Sequence, residues 1–350
     1  MTTVEILFER CKGVGGDIGL VTLNRPQALN ALTHLMIREL EQALLDWQAD
    51  PKIKAVVLQG AGDKAFCAGG DIRKIYQAGT AGDFSVMKFF KDEYRLNRLT
   101  HHYSKPYISF LNGITMGGGV GISMHGNFPV ATERFRFAMP ETGIGFFPDV
   151  GGSYLLSSCE DHVGIYLGLT GAQLNAADAK AIGLITTVIP SQSWPDLFKL
   201  LQDQDFADNA KQAVNNCLKQ FTCKSADSQL IHYLPIIARC FGYDEVEMIL
   251  QQLAAEKDPW ATHTAEVIAS KSPTSLKVTL EQIRRGLSLS FDECMMMEEI
   301  IAQHFLHTAD FYEGVRAALI DKDKSPHWDP PQLEMISSQQ VQAYFQPRKK

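Results

Sequence analysis

The sequence predicts an α/β layered domain followed by a helical region. Three observations carry that reading. Short β-branched runs recur through the first 190 residues, separated by helical stripes. Glycine-rich turns sit where predicted strands give way to predicted helices. Segments 196–262 and 272–320 then keep helical periodicity with few β-branched runs.

Taken in order, DIGLVTLN (17–24) has strand composition and ends in the turn signal Asn24-Arg25-Pro26. A helix is expected from about Leu32 to Trp47, because Leu32, Met36, Leu40, Leu44 and Trp47 recur at three- and four-residue spacing. Asp50-Pro51 stops it. IKAVVLQG (53–60) reads as a strand buried on both faces. The turn GAGDKAFCAGGDI (60–72) follows, then a second helix over roughly 86–103. PYISFLNG (106–113) is another buried strand, feeding Gly117-Gly118-Gly119 and a small-residue helix start. FPVATERFRFAMPE adds strand-like segments up to Glu141. Lys271-Ser272-Pro273-Thr274 marks a boundary, since proline favours a helix start and breaks a helix interior. The tail beyond Pro330 is polar and receives no assigned structure. The expected division is a core over 1–195 that carries the site, a helical insertion over 196–262 and a C-terminal helical region over 263–350.

The chain has 350 residues, 45% of them apolar and 21% charged, which suits a globular fold with a full core. With 33 basic against 40 acidic residues the net charge is -7, which repels phosphate backbones; no nucleic-acid partner is expected. No apolar run reaches the length of a membrane span. MTTVEILFER lacks the marks of a signal or transit peptide, so a bacterial cytoplasm is the expected location, with the mitochondrial matrix as the alternative. The seven cysteines are odd in number and irregularly spaced, without a CxxC pair, which fits reduced thiols filling the core. His101 and His102 are adjacent and do not share a helical face, and His125 reads as a core residue. Neither a metal nor a separate cofactor is called for.

Two glycine segments stand out, Phe66-Cys67-Ala68-Gly69-Gly70-Asp71-Ile72 and Thr115-Met116-Gly117-Gly118-Gly119-Val120-Gly121. Each follows a predicted strand and precedes a predicted helix, where backbone N–H groups lack partners and point toward anions. Two such groups, one per loop, can converge on one developing oxyanion. Neither segment is a dinucleotide fingerprint or a P-loop. Tight helix–strand packing explains the glycines equally well.

Next, Glu141 and Asp149 lie in FAMPETGIGFFPDVGG (137–152), a stretch otherwise made almost wholly of apolar residues, glycine and proline. Apolar surroundings disfavour a carboxylate and raise its pKa toward a useful range. Against that, Glu141 also suits a helix start, and Asp149 suits a turn or helix cap before Gly151-Gly152.

FCAGGDI, KPYISFLNGITMGGGVGISMHG and FAMPETGIGFFPDVGG together resemble the crotonase (enoyl-CoA hydratase/isomerase) superfamily, most closely its 3-hydroxyisobutyryl-CoA hydrolase branch. KSPTSLK (271–277) and DFYEGVRAALIDKDKSPHW (310–328) extend the likeness, which runs from the Asn24-Arg25-Pro26 turn to Trp328. The resemblance implies a spiral of ββα turns in two sheets, C-terminal helices that mediate trimer contacts, and an acyl-CoA substrate. It implies that the Gly70 and Gly118 N–H groups form the oxyanion hole. The hydratase pattern places a second glutamate at the position of Gly121, so hydration is disfavoured here. Where hydratases carry glycine, the hydrolase branch carries aspartate, as at Asp149. Glu93, in FFKDEY, matches a substrate-lining acid of that branch, although a solvated helix-face glutamate is an equal reading. The expected activity is hydrolysis of a short-chain 3-hydroxyacyl-CoA, 3-hydroxyisobutyryl-CoA foremost, with Glu141 and Asp149 catalytic. Glu93, Gly118, Glu141 and Asp149 would bind substrate, and Lys64, Arg73 and Lys74 would meet the CoA phosphates. The competing expectations are a hydratase or double-bond isomerase and a non-catalytic acyl-CoA binding protein.

Overall fold

The computed structural model describes residues 4–83, 86–206, 209–223 and 227–348. Residues 207–208 and 224–226 of the expected insertion, 1–3 and 84–85 of the expected core, and 349–350 at the C-terminus lie outside the described residues.

Along the chain the elements run β1 (Ile6–Cys11), β2 (Asp17–Leu23), α1 (His34–Ala49), β3 (Ile53–Gly60), β4 (Ala65–Cys67), α2 (Ile72–Thr80), α3 (Val86–His101), β5 (Tyr107–Leu111), β6 (Ile114–Met116) and α4 (Gly118–Gly121). They continue with β7 (Phe128–Thr132), β8 (Arg136–Ala138), a 3-10 turn (Glu141–Ile144), α5 (Gly152–Ser157), α6 (Val163–Thr170), β9 (Leu174–Asn175), α7 (Ala176–Ala181), β10 (Thr187–Ile189), α8 (Trp194–Gln202) and α9 (Ala210–Phe221). The rest is helical: α10 (Leu234–Cys240), α11 (Val246–Ala255), α12 (Pro259–Ala269), α13 (Pro273–Gly286), α14 (Phe291–Phe305), α15 (Ala309–Val315) and α16 (Ser338–Ala343). The chain forms two compact units, one of Met1–Gly70, Arg95–Phe137 and Leu174–Ser228, the other of Asp71–Tyr94, Ala138–Gln173 and Gln229–Lys350.

The first unit holds the sheets. Six strands pair in the order β1-β2-β3-β5-β7-β10 and four in the order β4-β6-β8-β9. In the larger sheet β1–β2 is antiparallel, and β2–β3, β3–β5, β5–β7 and β7–β10 are parallel. Three times in succession one strand joins the large sheet and the next joins the small one: β3 then β4, β5 then β6, β7 then β8. This is the ββα spiral that the sequence resemblance implied. The β-branched runs are buried as their composition required, with Val57, Ile108 and Val130 packed in one cluster. The same cluster contains Leu197 and Leu201 of α8 and Val214, Cys217 and Leu218 of α9. The first helices of the expected insertion therefore cover an apolar sheet face that would otherwise meet water.

Helix α1 starts two residues later than its apolar stripe suggested. Thr33 is the cap, its Oγ1 accepting the Met36 N–H at 3.2 Å. Leu32 instead pairs with Gly70 as an isolated parallel bridge. Two more elements are corrections to the sequence reading. β1 is an edge strand with mostly exposed residues, so it lacks the alternating pattern that marks a half-buried strand. The polar tail folds into α16, nucleated by a capping box between Ser337 and Gln340.

In the second unit, α13 begins at the boundary the sequence marked. Ser272 Oγ accepts the Ser275 N–H at 3.1 Å and Pro273 opens the first turn. An aromatic cluster centres on Phe146, whose ring lies 5.5 Å from Phe90, 5.6 Å from Phe305 and 5.4 Å from Phe311. Four of the seven cysteines, Cys67, Cys217, Cys240 and Cys294, are buried.

Candidate active site

The glycine turns are positioned by strand pairing. β4 and β6 are parallel neighbours, with Ala65 opposite Ile114 and Cys67 opposite Thr115. Both chains therefore leave the sheet at the same end, Gly70 three residues beyond Cys67 and Gly118 three beyond Thr115. The approach is close. A Cβ on Gly119 would fall 2.2 Å from the Cys67 carbonyl oxygen, and one on Gly69 would fall 3.6 Å from the Gly118 nitrogen. Gly69 and Gly117 also take positive φ, +110° and +47°, which glycine adopts without a steric penalty. The first loop is held by the Ala68 N–H donated to Leu29 and the Leu32 N–H donated to Gly69. Among the described residues, neither the Gly70 nor the Gly118 N–H is donated to a backbone carbonyl. α4 is only four residues long, so the expected small-residue helix is little more than the turn that presents Gly118.

The acids gather in the second unit. Glu93, Glu141 and Asp149 are 2%, 7% and 5% exposed. Burial removes the solvated-face reading of Glu93. Asp149 is not a cap either: the residue before α5 is Gly151, and no side chain of its own caps the helix. The Asp149 carboxylate instead accepts the Tyr94 hydroxyl at 2.8 Å. Glu141 does open a helical turn, as the alternative reading had it, and is buried there.

Burial sets the electrostatics. It raises the Asp149 pKa to about 7 against the opposing Tyr94 hydrogen bond. Burial first, and the Asp149 charge second, raise both Glu93 and Glu141. Glu141 Oε2 and Glu93 Oε1 find no hydrogen-bond partner among the described residues. An unpaired buried carboxylate oxygen is costly, and such groups cluster at functional sites.

Sequence reasoning missed three residues here. Tyr94 sits beside Glu93 in the quoted FFKDEY, but a tyrosine on a helix carries no signal of what its hydroxyl meets. Glu298 on α14 accepts the Gly151 N–H at 2.7 Å and the Ser153 N–H at 2.8 Å. Gln282 on α13 donates to the Pro148 carbonyl at 2.6 Å. The last two lie more than a hundred residues from the turn they hold.

Of the expected CoA contacts, Lys64 is exposed in the first unit, while Arg73 and Lys74 are exposed on α2 in the second, Lys74 lying 3.9 Å from Asp71. His125 is buried, its ring 6.4 Å from that of His101. Among the described residues no group of His, Cys, Asp and Glu is arranged to hold a metal ion, and no helix is long and apolar enough to cross a membrane.

Comparison with known proteins places these features in a lineage. The enoyl-CoA hydratase/isomerase family profile matches residues 18–345. The chain is 43% identical over 349 residues to "3-hydroxyisobutyryl-CoA hydrolase, mitochondrial" of Danio rerio, covering 97% of this chain and 89% of that one. It is 40% identical to the protein of the same name from Homo sapiens, covering 97% and 88%. Among solved structures, a carnitinyl-CoA dehydratase from Mycobacterium thermoresistibile is 38% identical with a TM-score of 0.90, covering 98% and 97%. An enoyl-CoA hydratase from Rhodobacter sphaeroides is 35% identical with a TM-score of 0.89, covering 98% of both chains.

Proposed function

Because the chain belongs to the enoyl-CoA hydratase/isomerase family, we propose that it hydrolyses 3-hydroxyisobutyryl-CoA to 3-hydroxyisobutyrate and CoA, a step of valine degradation. It is a thioester hydrolase, as its vertebrate relatives are named. One observation carries this reading at the site. Asp149 is buried where its charge raises the proton affinity of Glu141, while the position of the second hydratase acid is Gly121, which has no side chain.

In this reading the Gly70 and Gly118 N–H groups take up the negative charge that grows on the thioester oxygen. Losing one such donor typically costs about 10²–10³ in rate. Glu141 acts at the carbonyl carbon through its unpartnered oxygen. As a nucleophile it forms a mixed anhydride while the C–S bond breaks, and water then cleaves the anhydride; as a base it takes a proton from the attacking water instead. Asp149, oriented by Tyr94, binds the substrate hydroxyl or passes its proton to the departing thiolate. A pKa of about 7 suits that exchange near neutral pH. Glu93 fixes the acyl group, and Lys64, Arg73 and Lys74 meet the CoA phosphates. The reaction needs no cofactor beyond the CoA of its substrate. The family resemblance points to a homo-oligomer, a trimer, as the assembly, with neither nucleic acid nor membrane as partner. The names of the vertebrate relatives, which read mitochondrial, support the mitochondrial alternative and give no support to the expected bacterial cytoplasm.

The hydratase or isomerase reading keeps one point in its favour: isomerisation needs a single base, and the two solved relatives carry hydratase and dehydratase names. Free-thiol release and enoyl absorbance, followed with 3-hydroxyisobutyryl-CoA and crotonyl-CoA, separate the alternatives. Thiol release from the hydroxy ester without hydration of crotonyl-CoA is expected. Hydration or isomerisation without thiol release would overturn the proposal, as would tight binding without turnover.

A further inference from the structure

We propose that Glu298 is a positioning residue for this hydrolysis: its carboxyl group clamps the turn that carries Asp149. The inference rests on the reading of Glu141 and Asp149 as the catalytic acids.

The turn needs holding. Between Asp149 and α5 the chain passes through two consecutive residues of positive φ, Val150 at +52° and Gly151 at +85°. A β-branched residue there is an outlier that persists only where its surroundings enforce it. α5 begins at Gly152 with a glycine before it, so no side chain of the turn itself satisfies the first amides. Glu298 supplies that acceptor from α14, one oxygen for the Gly151 N–H at 2.7 Å and the other for the Ser153 N–H at 2.8 Å. Gln282 grips the preceding residue through the Pro148 carbonyl. Asp149 thus sits between two tethers whose far ends lie on the C-terminal helices of the same unit.

Two acceptors on one planar group are what an ionised carboxylate offers. A carboxamide of the same shape offers one acceptor and one donor, and would turn its NH₂ toward an N–H. Glu298 is fully buried, and burial raises its pKa to about 8 against the two N–H donors. The groups facing it are Asp149 before α5, Glu141 on the 3-10 turn, Tyr94 on α3 and Cys294 one turn earlier on its own helix. When ionised, it raises the proton affinity of Glu141.

The test is the pH dependence of kcat and kcat/KM for 3-hydroxyisobutyryl-CoA in the full-length protein, comparing wild type with Glu298→Gln and Glu298→Asp. Glu298→Gln turns an NH₂ toward one of the two N–H groups and removes no charge below about pH 8, so it is expected to lower kcat about tenfold, with KM changed much less and the acid limb of kcat/KM left in place. Glu298→Asp keeps the carboxyl group but draws it back by one methylene from the two N–H donors, so kcat falls while the acid limb stays in place. A residue that only stabilises the fold would lower the melting temperature in both variants and leave kcat and the limb of the folded enzyme unchanged, and that result overturns the proposal. Should Glu298→Gln not fold, Glu298→Asp decides alone: wild-type kcat overturns the proposal, and a reduced kcat with an unmoved limb upholds it. Wild-type thiol release tests the proposed function itself, so the two failures are distinguishable.

Discussion

Replacing Asp149 with asparagine separates what this acid does for the chemistry from what it costs the fold. Burial carries its carboxyl from the ordinary 3.8 to about 7. The folded state then keeps a proton that the unfolded chain has already released, so its stability falls as the pH rises from about 4 to about 7. At 1.36 kcal/mol per pH unit, that displacement corresponds to about 4 kcal/mol above neutral pH. Asparagine never ionises, and its oxygen can still accept the hydroxyl that Tyr94 donates to Asp149 at 2.8 Å. Its buried NH₂ returns part of the gain, about 1–3 kcal/mol if it stays unpaired. At about 2.1 cal/mol/K per residue over 350 residues, each kcal/mol moves Tm by about 1.4 °C. Thermal unfolding at pH 4 and pH 8 is therefore expected to show Asp149→Asn gaining a few degrees on wild type between the two pH values. Thiol release should fall about a hundredfold or more over the same range. A Tm difference that does not widen with pH, or a variant less stable than wild type at pH 8, would refute the reasoning about burial.

Two further substitutions probe the other parts of the site. Gly119→Ala places a methyl 2.2 Å from the Cys67 carbonyl, so α4 must shift; a loss of roughly 1–3 kcal/mol is expected by denaturant unfolding, with thiol release falling as Gly118 moves. Glu93→Gln removes a buried acid whose charge raises Glu141, so the acid limb of kcat/KM should move to lower pH and KM for the hydroxy ester should rise. An unmoved limb and an unchanged KM would detach Glu93 from the site.

What was legible in the sequence was the part written locally. The glycine turns announce themselves because only glycine tolerates a carbonyl as near as that of Cys67 is to Gly119, and the buried parallel strands show as β-branched runs. Glu141 and Asp149 were visible as acids in apolar company. The environment of each acid was not. Asp149 before Gly151-Gly152 has the sequence of a cap, and only the fold shows the capping amides taken by Glu298, 147 residues away. Glu298 itself follows Met295-Met296-Met297 on a helix and reads as one more acid of α14, since helical periodicity says which face is apolar and not which buried polar group finds a partner. β1 escaped notice for a related reason: its ladder to β2 makes it a strand, and a ladder leaves no mark on a mostly exposed edge. The tail carried a readable signal, the Ser337–Gln340 capping pair, hidden by polar composition.

The most direct measurement is the initial rate of CoA thiol release from 3-hydroxyisobutyryl-CoA at neutral pH, made side by side on wild type, Glu141→Gln and Asp149→Asn. Rapid release by the wild type with near-complete loss in both variants is the expected result. Release at the wild-type rate from either variant would contradict the assignment of these two buried acids to the chemistry.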